Sequence, residues 1–246
     1  MLKISGKTLK NAVFVLMLLV VILSFCNMGK GLVREAFGEE EKICYLTFDD
    51  GPSKNTEKIL DILKEHQAQA TFFVIGSEIN EETKPLLQRM MHEGHSIGIH
   101  ANVHNYETLY ESLDGFLKDY ETLSKKLEEE CGIKTNLCRL PGGSACSLLH
   151  GQGKTYVQEL EKRGYVIFDW KCTGEDSVGH PTVQSIRKNV FSNGMKYNTT
   201  IVLLHDSVIA DATVEALPGI LEKFEEAGYD FRSLEGMKGY VFPANR

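Results

Sequence analysis

The chain has 246 residues, 42% of them hydrophobic and 25% charged, which excludes a disordered tail, a collagenous repeat and a multi-span membrane protein. Its formal net charge is -7, but residues 1–30 hold four lysines and no acid, leaving 23 basic and 34 acidic side chains in the remainder. A body this acidic speaks against nucleic acid as a partner, because phosphate binding needs a basic surface.

Lys3, Lys7 and Lys10 precede an apolar run from Ala12 to Phe25. A basic stretch followed by such a run is the export pattern, and about 17 residues is the lower limit for spanning a bilayer. Residues 1–28 read as an uncleaved signal anchor with the lysines inside and the body outside, or else as a cleaved signal peptide. Residues 29–42 read as a polar linker, and 43–246 as a single domain.

That domain alternates strand and helix. Ile43–Phe48 reads as a buried strand and Asn55–His66 as a helix with Ile59, Leu60, Ile62 and Leu63 on its inner face. Strand Ala70–Ile75, helix Glu78–Glu93 and strand Ser96–Ile99 follow. A long helix covers Leu109–Glu130, then strand Leu137–Leu140, helix Thr155–Arg163 and strand Tyr165–Asp169. Helix Thr182–Phe191, strand Thr200–Leu204, helix Val214–Ala227 and strand Asp230–Ser233 complete the pattern. Alternation of this kind implies a mostly parallel sheet with helices outside, and seven strands suggest an α/β barrel or a strongly curled open sheet. Six cysteines occur. Cys26 lies in the apolar run, Cys44 reads as a small buried hydrophobe, and Cys131 and Cys138 could close a short loop. With no Cys-x-x-Cys pair, a zinc knuckle is disfavoured.

The unusual polar residues fall where strands end. In parallel barrels those ends converge on one face, where chemistry sits. Asp49 and Asp50 follow the first strand; adjacent carboxylates repel unless a cation or strong donors neutralise them. His100 and His104 are four apart, and on one helical turn they would face the same way; with one carboxylate they make a two-histidine, one-carboxylate metal site. Arg139, ahead of Pro141-Gly142-Gly143, brings a cation that can orient a carboxylate and a backbone that can approach a ligand. Trp170 is the only tryptophan and could wall a sugar site. His205 ends an apolar strand, and Asp176 could hold it protonated as a general acid. His66, His92, His95, His150 and His180 read as structural.

Taken in order, Thr47–Pro52, His100–His104, Arg139–Gly143, Trp170 with Asp176, and Leu203 with His205 resemble the five motifs of the NodB-type polysaccharide deacetylases, carbohydrate esterase family four. Ala101 stands where that family usually has Ser or Thr, Gly142 where many members have Tyr, and Ser177 where many have an aromatic residue. The resemblance implies a distorted, TIM-barrel-like (β/α)7 fold and metal-assisted removal of acetyl groups from a polysaccharide. It implies that Asp50, His100 and His104 bind a divalent metal, zinc first, with cobalt, iron or manganese as alternatives. It further implies Asp49 as general base oriented by Arg139, and His205 as general acid tuned by Asp176. The Gly142 N–H would be an oxyanion donor, Leu203 the lining of the acetyl methyl pocket, and Trp170 a nearby wall. Family and export segment together suggest a cell-surface polymer, with N-acetylglucosamine of peptidoglycan first. O-acetyl xylan esterase activity is the alternative within the fold. A non-catalytic sugar-binding barrel and a structural envelope protein are the alternatives outside enzymology.

Overall fold

The computed structural model of the chain describes residues 40–245. The expected N-terminal anchor, Cys26 and nearly all of the linker lie outside the described residues. Among the described residues, no helix is long and apolar enough to cross a membrane.

The sheet is parallel throughout. Its strands are β1 (Lys42–Gly51), β2 (Ala70–Ile75), β3 (Ser96–Ala101), β4 (Leu137–Cys138), β5 (Val166–Ile167), β6 (Cys172–Thr173), β7 (Thr199–His205) and β8 (Tyr229–Phe231). The hydrogen-bonded order is β5-β4-β3-β2-β1-β7-β6, with β8 beside the start of β1. The helices are α1 (Thr56–Glu65), α2 (Lys84–His92), α3 (Tyr106–Leu109), α4 (Leu113–Cys131), α5 (Gly153–Lys162), α6 (Val183–Gly194) and α7 (Asp211–Glu226).

Alternation along β1 sorts its side chains between two cores. Cys44, Leu46 and Phe48 join the large cluster shared with the helices, which includes Leu60, Phe72, Phe116, Leu204 and Phe224. Tyr45 points the other way, into a small inner cluster with Phe73, Leu137, Phe168, Ile201 and Leu234. The strand is therefore buried on both faces, as its unbroken apolar run requires.

The barrel-like α/β architecture is as expected, but strand pairing does not close it. β5 and β6 lie at opposite edges of the sheet, yet only Phe168–Lys171 separates them in sequence. That segment bridges the edges itself: the Phe168 N–H donates to the Cys138 carbonyl and the Lys171 N–H to the Ile201 carbonyl, both at 2.9 Å. The result is a curled parallel sheet drawn shut by a short crossover. β6 was absent from the sequence pattern because its two paired residues, Cys172 and Thr173, are too few to show a period.

Two expected helices are divided. Glu78–Glu93 becomes a 3₁₀ turn at Gly76–Glu78 and α2, because Pro85 stands in the first turn of α2, where a missing N–H costs nothing. Leu109–Glu130 becomes α3 and α4, because Ser112 accepts the Gly115 N–H at 3.1 Å and starts a new helix. Cys131 and Cys138 do not close a loop. Both are free thiols; Cys138 is buried within β4, and burial pushes its thiol pKa up.

Gly98 makes room for the inner cluster. A Cβ there would come 2.5 Å from the Phe73 ring and 3.1 Å from the Leu137 carbonyl, and that ring also carries the Arg139 guanidinium, 4.3 Å from its centroid. We expect Gly98→Ala to destabilise the fold by about 1–3 kcal/mol through overpacking. Urea unfolding measures this, and an unchanged midpoint would show that Phe73 is free to retreat.

Candidate active site

Strand alternation should send Asp49 and Asp50 to opposite faces of the sheet. A bulge prevents this. The β1–β2 register runs Asp49↔Phe73 and then Gly51↔Val74, leaving Asp50 as an extra residue, and Asp50 has φ 74°. Aspartate tolerates this left-handed conformation better than most residues, and a bulge re-aims the side chain it carries. A second bulge faces the first. β2 and β3 pair Val74↔Ile99 and then Ile75↔Ala101, so His100 is likewise unmatched.

The two bulges bring Asp50 and His100 together. Asp50 Oδ1 lies 3.5 Å from His100 Nε2 and 3.6 Å from His104 Nε2. This oxygen is buried and has no hydrogen-bond partner, a costly condition unless something else binds it. Ligands about 2.0–2.1 Å from a tetrahedral zinc ion stand roughly 3.4 Å apart, so the three atoms are spaced to hold a divalent metal. Among the described residues, Asp50, His100 and His104 form a group whose ligand atoms could hold a metal ion.

The histidines are not on a helical turn. His100 is the penultimate residue of β3, whose pairing continues to Ala101, and His104 follows a bend; their rings stack at 5.4 Å. The His100 Nδ1–H donates to the Arg139 carbonyl at 3.0 Å. This leaves Nε2 facing Asp50 and able to act as a ligand, and burial lowers the imidazole pKa, favouring the neutral form. The bend is tied by a residue the sequence reading missed. Asp119 of α4 accepts the Asn102 N–H at 2.6 Å and the Val103 N–H at 3.1 Å. No local motif marks Asp119, because it reaches the loop from a distant helix.

Asp49 is held differently. Its Oδ1 accepts from Arg139 Nη1 at 2.8 Å, and its Oδ2 lies 3.8 Å from His100 Nε2. Arg139 is completely buried. It also donates to Thr47 Oγ1 at 2.7 Å and to the carbonyls of Phe168 at 2.8 Å and Asp169 at 3.3 Å.

The β1–β7 register places His205 opposite Asp49. Asp176 Oδ1 accepts the His205 Nδ1–H and Asp176 Oδ2 accepts the backbone N–H, both at 2.8 Å, while Thr213 donates to Oδ2 at 2.7 Å. Burial disfavours the charged imidazole, but the hydrogen bond and charge of Asp176, helped by Asp49 and Asp50, raise its pKa to about 9. Protonated His205 therefore stabilises the fold fully below about pH 6.5, and that contribution is lost as pH rises through about 9.

Asp49, Asp50, His100, His104, Gly142, Trp170, Leu203 and His205 line one cleft of about 250 Å³. Arg139 and Asp176 lie behind it, each touching the cleft through the side chain it holds. Gly142 has φ 74°, and its N–H makes no hydrogen bond among the described residues. Trp170 stands edge-on to Phe242 at 5.2 Å. The cleft also includes Tyr106, Thr173, Glu175, Ser177 and Val178, none of which had been assigned to it except Ser177, noted only as a departure.

A family model described as polysaccharide deacetylase matches residues 38–167. A peptidoglycan-N-acetylglucosamine deacetylase of Bacillus cereus is 34% identical over 213 residues, covering 84% of this chain and 74% of that relative. A bifunctional xylanase/deacetylase of Pseudobutyrivibrio xylanivorans is 28% identical over 216 residues, 87% of this chain and 33% of that protein. Among solved structures, the catalytic domain of a peptidoglycan N-acetylglucosamine deacetylase from Eubacterium rectale superimposes with a TM-score of 0.77 at 29% identity, covering 85% of this chain and 96% of the other. The fold and the strand-end cleft define a hydrolase built on a curled parallel half-barrel, with a candidate metal site. The chain belongs to the polysaccharide deacetylase family.

Asp119→Ala should loosen the bend that carries His104 and weaken metal binding roughly 10- to 100-fold, the usual cost of losing a residue that supports a ligand. Competition titration with a chromophoric zinc chelator reads this directly; unchanged affinity would show that the bend holds its shape without the carboxylate.

Proposed function

We propose that this chain is a zinc-dependent polysaccharide de-N-acetylase acting on N-acetylglucosamine of peptidoglycan, on the outer side of the membrane. One observation carries the reading. A trio of ligand atoms with a free carboxylate oxygen at its centre adjoins a second carboxylate, Asp49, anchored by a buried arginine. The substrate follows from the Bacillus cereus and Eubacterium rectale relatives, and the location from residues 1–28, read as a signal anchor or signal peptide.

Asp50, His100 and His104 would hold a divalent cation, which when bound would supply Lewis acidity toward the acetyl carbonyl and toward water. Asp49 is the general base: Arg139 occupies Oδ1, so Oδ2 is the oxygen that takes a proton from attacking water. The free N–H of Gly142 donates to the carbonyl oxygen as negative charge develops there. Asp176 holds Nδ1 of His205, so Nε2 delivers the proton to the departing amine. Leu203 lines the side of the cleft that takes the acetyl methyl, and Trp170 flanks the sugar.

A second reading is hydrolysis of O-acetyl esters on xylan, favoured by the relative named as a bifunctional xylanase/deacetylase. An ester leaving group needs less protonation than an amine, so the readings differ in their demand on His205.

The test is acetate release from N-acetylglucosamine oligomers by the full-length zinc-loaded chain, compared with release after chelation and after zinc is restored. Release that is lost and regained with the metal supports the proposal. Release from acetylated xylan alone favours the ester reading, and release from neither overturns both.

His205 must be protonated to act, so kcat on the amide should fall as pH rises through about 9. Asp176→Asn removes the charge that raises this pKa and should move the alkaline limb down by at least about 1 pH unit. A limb that stays in place would remove His205 from the acid role.

A further inference from the structure

Gly142 leaves one side of the cleft without a side chain, and the space beside it is filled from elsewhere. A Cβ at position 142 would stand 3.0 Å from Cys146 Sγ and 3.6 Å from Cε1 of Tyr106. Tyr106 opens α3, two residues beyond His104, and its ring is edge-on to His104 at 4.9 Å. The position is rigidly set, because Asn105 Oδ1 accepts the N–H groups of Glu107 at 3.1 Å and Thr108 at 3.2 Å. The Tyr106 hydroxyl has no hydrogen-bond partner among the described residues, and the side chain is 37% exposed. Tyr106 borders two cavities. One is the metal cleft; the other, of about 480 Å³, is also lined by Tyr110, Glu111, Leu148, His150 and Tyr156.

We propose that Tyr106 is the wall between two consecutive sugar sites, with the sugar that loses its acetyl group in the metal cleft and its neighbour in the second cavity. A tyrosine suits this place because it pairs an apolar ring with a polar tip. The ring packs on the C–H face of a sugar, and the unpaired hydroxyl donates to a sugar oxygen. Leu148, 39% exposed, provides further apolar surface in the second cavity. The wall that position 142 lacks is thus supplied by the loop that carries a metal ligand, which couples glycan binding to the site of reaction. This inference rests on the deacetylase reading above.

The test compares kcat/KM for acetate release from N-acetylglucosamine and from its dimer, using full-length zinc-loaded wild type, Tyr106→Phe and Tyr106→Ala, with zinc content measured for each. In the wild type the dimer should be preferred, because only it reaches the second cavity. Tyr106→Ala should reduce that preference roughly tenfold, chiefly through KM, with zinc content unchanged. Tyr106→Phe should fall between them, separating ring from hydroxyl. A wild type without preference for the dimer overturns the proposal, as does a Tyr106→Ala variant that keeps the full preference. Loss of zinc from Tyr106→Ala also overturns it, since the residue would then serve only to support His104. Absence of acetate release from either substrate by the wild type defeats the deacetylase reading itself.

Discussion

A guanidinium with no exposure to solvent is the constraint around which this molecule is arranged. Among the described residues Arg139 is the largest fully buried side chain, and an unpaired charge in such a place would cost several kcal/mol. Its partners therefore have to be where they are. Thr47 and Asp49 come from β1, the Phe168 and Asp169 carbonyls come from the crossover that draws the sheet shut, and the Phe73 ring of β2 lies beneath it. The same residue's carbonyl accepts both the His100 Nδ1–H and, at 2.8 Å, the Tyr120 hydroxyl. One buried arginine thus links the crossover that draws the sheet shut to the orientation of Asp49 and to the tautomer of His100.

The other organising device is the pair of bulges. A regular β1 would bury Asp50 among helices, and a regular β3 would turn His100 from its present aim. Inserting one residue in each strand at the same end of the sheet lets neighbouring acids share one cleft while differing in contacts. Asp49 has its charge satisfied by Arg139; Asp50 has a buried oxygen with nothing to bind except what His100 and His104 also face. The proposed division of labour between base and ligand rests on these surroundings, since the two side chains are chemically identical.

Much of this was legible in the sequence. The apolar runs ending in Asp49, His100 and His205 are long enough to show both the strands and the convergence of their ends. The partners of Arg139 and Asp176 were legible as possibilities, a carboxylate for one and His205 for the other, but their burial was not, because nothing local in the sequence shows it. The bulges were not legible, since Asp50 and His100 are not glycines and carry no backbone signal; the helical-turn reading of the histidines failed for that reason. β6 was too short to register. Asp119 and Tyr106 escaped because their roles depend on contacts made across the fold: one ties the bend between the histidines from a separate helix, the other fills space that a glycine leaves open 36 residues away.

The most direct test is the metal content of two single variants, Asp49→Asn and Asp50→Asn, after identical zinc loading and dialysis. The account predicts that Asp49→Asn keeps one zinc per chain and that Asp50→Asn loses it. Retention by Asp50→Asn with loss by Asp49→Asn would reverse the two roles and contradict the account.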